Sequence, residues 1–133
     1  MRGKFDGQIF FDSIPTEDNP IWPVIVVDFN GVCDQYGGWH GEVEFYPPAE
    51  GVAEFLQDLR TLGFNTIVVC TATMPVELVE EWFVEHHLDD LVDYVTNHKP
   101  PASVYVDDRA VTHKGDFKET LRAVVGFKPH WMA

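Results

Sequence analysis

Cysteine, positive charge and long apolar runs are all scarce in this chain. Cys33 and Cys70 are the only cysteines among 133 residues. They cannot build a disulfide framework, and neither belongs to a C-x-x-C pair. Cys70 ends an apolar run and reads as a small buried hydrophobe. Lys and Arg total 9 against 22 Asp and Glu, a formal charge of −13. That balance argues against long nucleic acid and an anionic membrane surface as the main partner, since both are polyanions. No stretch approaches the roughly 18 apolar residues of a membrane span. The N-terminal MRGKFDGQIFFDS is too acidic, and too short in its apolar part, for a signal peptide, so a cytoplasmic setting is expected. The shortage of cations is uneven. Residues 1–98 carry 3 basic and 18 acidic side chains, residues 99–133 carry 6 and 4. A pocket faced by the later segment could attract a small anion.

What is present is core material. At 45% hydrophobic and 14% aromatic residues, the chain can fold as one compact domain. Residues 1–23 read as an N-terminal extension, with a short strand at Gln8–Phe11 and three prolines between Ser13 and Pro23. Residues 24–133 form the domain proper. Val24-Ile25-Val26-Val27 is a continuous β-branched run ending in Asp28, as in a parallel strand covered on both faces. Residues 51–62 are helical, with Val52, Phe55, Leu56, Leu59 and Leu62 on one stripe and Gly63 as the terminating glycine. Thr66–Cys70 is a second buried strand. A helix follows from Pro75 to His87, its apolar stripe Leu78, Val79, Trp82 and Phe83 opposite Glu77, Glu80, Glu81 and Glu85. Tyr94-Val95 and Val104-Tyr105-Val106 are short strands, and Lys118–Val125 is a last helix. Strands alternating with helices predict an α/β fold: a three-layer, Rossmann-like sandwich around a mostly parallel sheet.

In such sheets ligands bind beyond the carboxyl ends of the strands. The residues there are Asp28, Thr71, Asn97-His98-Lys99 and Asp107-Asp108. Three carboxylates at one edge repel unless a cation lies among them, and oxygen-only donors suit Mg²⁺. Lys99 and the Thr71 hydroxyl can hold a phosphoryl group beside it. Asp28 can then attack phosphorus and form an aspartyl-phosphate. A lone Asp after a strand is commonly a turn former or helix cap; the coherence of all four strand ends is what points to chemistry.

The ordered segments VIVVDFNGV (24–32), TIVVCT (66–71), Lys99 and SVYVDD (103–108) resemble the four motifs of the haloacid dehalogenase superfamily of phosphohydrolases. The resemblance covers residues 24 to about 125, and HKPPASVYVDDRAV looks like small bacterial and phage-encoded members. It implies a Mg²⁺-dependent phosphomonoester phosphatase. Asp28 would be nucleophile and metal ligand, with Asp107, Asp108 and the backbone carbonyl of Asn30 completing the metal site. Thr71, Ala72 and Lys99 would bind the phosphoryl group.

One position departs from that pattern. The family's phosphatases carry a second Asp two residues after the nucleophile, as the acid and base of the reaction; this chain has Asn30. Turnover would be slowed, or trapped by Asn30 as an engineered change, or the chain would be an inactive phosphate- and metal-binding relative. Asp34 and His40 are candidates for a substitute, with turn and surface roles as alternatives. The intervals 32–47 and 72–98 leave no room for a cap domain, so the site should be open. Tyr36, Trp39, His40, Phe45 and Tyr46 could stack on a base or sugar, or pack a flap onto the core. Arg109 and Lys114 could reach a second anionic group. His86, His87, His98, His113 and His130 lack zinc spacing. The expected partner is a sugar phosphate, a nucleotide or a phosphoprotein, and oligomerisation stays open. A two-component receiver domain also pairs Asp, Thr and Lys with an acidic pair, but its acidic pair comes at the first strand, opposite to the order here.

Overall fold

A computed structural model describes residues 24–132; the strand expected at Gln8–Phe11 and the rest of the N-terminal extension lie outside the described residues. Four strands, β1 (Val24–Asp28), β2 (Thr66–Cys70), β3 (Tyr94–Thr96) and β4 (Val104–Val106), form one parallel sheet in the order β3-β2-β1-β4. Register pairs Asp28 with Cys70 on one side and Val27 with Val106 on the other. The continuous apolar runs follow from burial, because Val24–Val27 and Thr66–Val69 are covered on both faces.

Two helices pack on one face. Helix α1 (Val52–Thr61) buries Val52, Leu56 and Leu59, and α2 (Val76–Glu85) buries Val79, Trp82 and Phe83. Both meet Ile25, Val27, Ile67 and Val69, alternate residues that share one side of the pleat. The expected stripes are wider than the observed ones: Phe55, Leu62 and Leu78 are exposed. Glu80, expected on the solvent side, is buried at 1% exposure. Its spacing from Val76 and Phe83 places it on the inner side of the helix.

The helix ends have local causes. After α1, Gly63 takes φ +108° and Phe64 N–H donates back to Leu59 O at 3.2 Å, a left-handed glycine stop. Helix α2 ends two residues before the expected His87. His87 itself takes φ +59°, and Leu88 N–H returns to Phe83 O at 2.8 Å. The His86-His87 pair is thus part of a helix stop, with His86 against the Trp82 ring at 4.7 Å between centroids.

On the other face Val24, Val26 and Val68 are buried beside Cys70, Tyr94 and Ala102. No crossover helix reaches that face from β3 to β4, because residues 97–103 are too few and include Pro100 and Pro101. Helix α3 (Phe117–Val125), capped by the Asp116 carboxylate, has no buried residue. Its Phe117, Leu121 and Val125 are 64–81% exposed. Among the described residues the helical layer against the sheet is therefore one-sided, and the second helical layer of the expected sandwich is not formed by α3. Both cysteines are free thiols, and no described helix is long and apolar enough to cross a membrane.

Candidate functional site

From β1 the chain steps through α1 to β2 on one side, while β4 comes to lie on the other side of β1. The crevice between the carboxyl ends of β1 and β4 is the place where such a sheet binds ligands. Asp28 is the last residue of β1, and Asp107 and Asp108 directly follow β4. One oxygen from each of the three carboxylates lies within 4.8 Å of the others. Burial, a hydrogen bond with Asp108 and the charges of Asp107 and Asp108 push the Asp28 acid up to about 8, against a small opposing effect of the Phe29 N–H. Three carboxylates this close need a proton or a cation between them. Their all-oxygen donor set fits Mg²⁺. Among the described residues this is the only cluster of His, Cys, Asp or Glu that could hold a metal ion.

The turn after Asp28 is fixed from both ends. Phe29 is fully buried, edge-on to Trp82 at 4.9 Å. Asp34, at 2% exposure, accepts Gly31 N–H at 2.9 Å and the Asn30 side-chain amide at 2.7 Å. Burial raises the Asp34 acid, while the bonds from Gly31 and Asn30 oppose that shift. Both of its oxygens thus hold the turn in shape. Gly31 has φ +88°, and a Cβ there would overlap the Asp108 carboxylate. His40 sits on the exposed loop, bonded to Glu44 at 3.1 Å, and lines neither cleft around Asp28.

Two clefts open on Asp28. The first, about 290 Å³, is walled by Asn30, Tyr36, Trp39, Ala72, Thr73 and Arg109 together with the three carboxylates. The second, about 220 Å³, places Lys99 with Asp28, Ala72, Asp107 and Tyr105. Lys99 Nζ lies 4.5 Å from the centre of the Tyr105 ring, whose hydroxyl donates to Pro100 O at 2.5 Å. Thr71 stands at the expected strand end, but it is 1% exposed and its hydroxyl donates to Met74 O and accepts Met74 N–H, both at 3.1 Å. That hydroxyl shapes the start of α2, and Ala72 and Thr73 line the cleft in its place.

The aromatic loop divides. Tyr36 and Trp39 face the first cleft. Phe45 packs on Phe29 at 6.3 Å, and Tyr46 bonds to Glu44 at 3.0 Å while its carbonyl accepts the Trp82 indole at 2.9 Å. Of the two cations after the acidic pair, Arg109 lines the cleft and Lys114 lines neither. Its neighbour His113 is bonded to Thr120 at 2.6 Å.

Two residues not anticipated from the sequence also touch the site. Trp131 donates its indole N–H to Asp108, and His130 Nε2 lies 2.6 Å from Gly31 O. The Arg109 guanidinium stacks 4.9 Å over Trp131, and Tyr36 meets it edge-on at 4.9 Å. No local pattern signals such contacts, since His130 and Gly31 are 99 residues apart.

No family model, curated protein or solved structure matches this chain.

Proposed function

We propose that this chain is a small, capless phosphohydrolase of the haloacid dehalogenase type, with a Rossmann-like sheet carrying a Mg²⁺ site on Asp28, Asp107 and Asp108. The observation that carries it is the meeting of these three carboxylates in the crevice between β1 and β4, with Lys99 lining the same cavity as Asp28. Mg²⁺, when bound, would neutralise the carboxylates and polarise the phosphoryl oxygens.

The chain's own groups would act as follows. Lys99 balances the charge of the phosphoryl group, and Ala72 and Thr73 wall its seat. Ionised Asp28 attacks phosphorus, a new P–O bond forms to its carboxylate, and the bond to the leaving oxygen breaks with its electron pair. The Asn30 amide has no proton to give in this pH range and is bonded to Asp34. The leaving oxygen therefore departs as the anion or takes its proton from water. Water then attacks the aspartyl-phosphate without a carboxylate base at residue 30, so that step is slow as well. Substrates with good leaving groups are preferred. The negative chain favours small phosphomonoesters such as sugar phosphates or nucleotides over long nucleic acid.

A second function is favoured by the Asn30–Asp34 bond: a cation-dependent phosphate-binding protein on the same fold, with turnover negligible. Steady-state hydrolysis of nitrophenyl phosphate and of natural phosphomonoesters, with Mg²⁺ and with chelator, separates the two. Slow Mg²⁺-dependent turnover that Asp28→Asn abolishes is expected of the phosphohydrolase. Turnover that survives Asp28→Asn refutes it, and Mg²⁺-dependent phosphate binding without turnover identifies the binding protein.

A further inference from the structure

Segment 129–132 is a short turn, closed by Met132 N–H to Pro129 O at 3.1 Å, and it lies against the acidic cluster rather than away from it. Three segments far apart in sequence meet there: the turn at Gly31, the acidic pair after β4, and Trp131. The fit is close enough to exclude any side chain at residue 31. A Cβ there would crowd the Trp131 indole nitrogen at 2.9 Å as well as overlapping Asp108.

We propose that Trp131 is a positioning residue for the cation site, holding the Asp108 carboxylate through its indole N–H. This rests on the cation site proposed above. The two acidic neighbours are held by different means. Asp107 is exposed and one of its oxygens accepts Arg109 N–H at 2.8 Å. Asp108 is half-buried and has one oxygen, Oδ2, on the Trp131 indole. Asp108 also shares a hydrogen bond with Asp28, and a cation among the carboxylates would replace that bond while the indole keeps its hold on Oδ2. The indole is itself oriented by Tyr36 on its edge and by Arg109 over its face, so the donor is fixed before any ligand arrives. An indole has a donor and no acceptor, so it cannot compete for the cation. Outer groups that hold a metal-binding carboxylate commonly change metal affinity by about tenfold or more.

Calorimetric titration with Mg²⁺ and Mn²⁺ tests this on four forms of the full chain: the parent, Trp131→Phe, Asp108→Asn, and the double variant. Trp131→Phe keeps an aromatic ring against Tyr36 and Arg109 while removing the N–H, and a melting curve without metal checks that the fold is kept. Trp131→Phe should weaken cation binding by about tenfold. In the Asp108→Asn background the same change should cost less than about threefold, because a neutral amide oxygen accepts the indole N–H more weakly than a carboxylate does. An equal loss in both backgrounds means that Trp131 acts elsewhere and overturns the proposal, as does unchanged affinity in Trp131→Phe. Failure of the parent itself to bind either cation removes the cation site, and the role of Trp131 with it. If Trp131→Phe does not fold, the parent's own indole gives the readout: saturating Mg²⁺ should shift the Trp131 indole N–H resonance in an NMR titration, and a resonance left unmoved by bound cation overturns the proposal.

Discussion

The bond between Asn30 and Asp34 makes a single substitution at residue 30 behave differently from a paired one. Asp34 is buried and accepts the Asn30 amide at 2.7 Å and Gly31 N–H at 2.9 Å. Asn30→Asp supplies the carboxyl group that general acid catalysis needs, but it sets two carboxylates in contact. A hydrogen bond to a charged group is lost, about 1.5–3 kcal/mol, and two like charges near 4 Å repel by about 4 kcal/mol at an effective dielectric of 20. Partial protonation and local relaxation relieve part of this, so a net loss of about 2–4 kcal/mol of stability is expected near pH 7.5. The double substitution Asn30→Asp with Asp34→Asn reverses the pair. The amide introduced at 34 can donate to the carboxylate introduced at 30, while its oxygen still accepts Gly31 N–H. Stability should return to within about 1 kcal/mol of the parent. Turnover with Mg²⁺ should rise by about 10²–10⁴-fold over the parent, most for substrates with poor leaving groups. Urea denaturation and phosphomonoester hydrolysis measure the two effects separately. If Asn30→Asp alone is as stable as the parent, the Asp34 clasp does not hold the turn. If the double variant is stable and no faster, the missing proton donor is not what limits the reaction.

Further expectations follow from the same geometry. With chelator present, stability should fall as pH rises from about 4 to about 8, because folded Asp28 keeps its proton up to about 8 against an ordinary 3.8 and the folded state binds more protons across that window; saturating Mg²⁺ should flatten the trend, and a flat profile without metal argues against the buried acid. Lys99→Ala should weaken Mg²⁺-dependent binding of inorganic phosphate by about tenfold, whereas Lys118→Ala on α3 should leave it within about twofold; equal losses would indicate diffuse charge attraction. Gly31→Ala forces a side chain to φ +88° and into Asp108. It should cost at least about 1–2 kcal/mol in stability from the backbone alone and lower Mg²⁺ affinity, and calorimetry finding unchanged affinity would contradict the close approach.

The parallel sheet and the strand-end carboxylates were legible because their signals are local. A β-branched run such as Val24–Val27 has few uses except a strand buried on both faces, and parallel strands bring their carboxyl ends to one edge whatever lies between them. Asp28, Asp107, Asp108 and Lys99 therefore converge around adjoining clefts. Thr71 is different. Its position was legible, but the direction of its hydroxyl depends on whether Met74 offers a turn partner, and that is settled by the start of α2. Asp34 could be read as a spare acid or as a turn former, and only its burial and its two bonds decide for the turn. The end of α2 was misplaced because His87 takes the left-handed geometry usually left to glycine. Trp131 had no pattern to betray it, because its contact with Asp108 spans 23 residues and belongs to no repeating element.

If the clefts take a phosphomonoester, as proposed, their charge requires a cation to precede it. Three carboxylates meet there, and the two cations that line the clefts, Lys99 and Arg109, do not offset them when all three are ionised. The bare site would repel a phosphate dianion or hold a proton on Asp28, and a protonated Asp28 could not serve as the proposed nucleophile. On the proposed function, Asp28, Asp107 and Asp108 would hold a divalent cation in place of that proton, which would couple anion binding to activation of Asp28. With 18 acidic and 3 basic residues before residue 99, the charge of the chain would also disfavour a long nucleic acid as the proposed substrate. On the proposed function, a single phosphomonoester would need only the cation, Lys99 and the cleft walls. Its organic portion would then meet Tyr36 and Trp39, the aromatic residues that line the first cleft and could tell one phosphomonoester from another by shape.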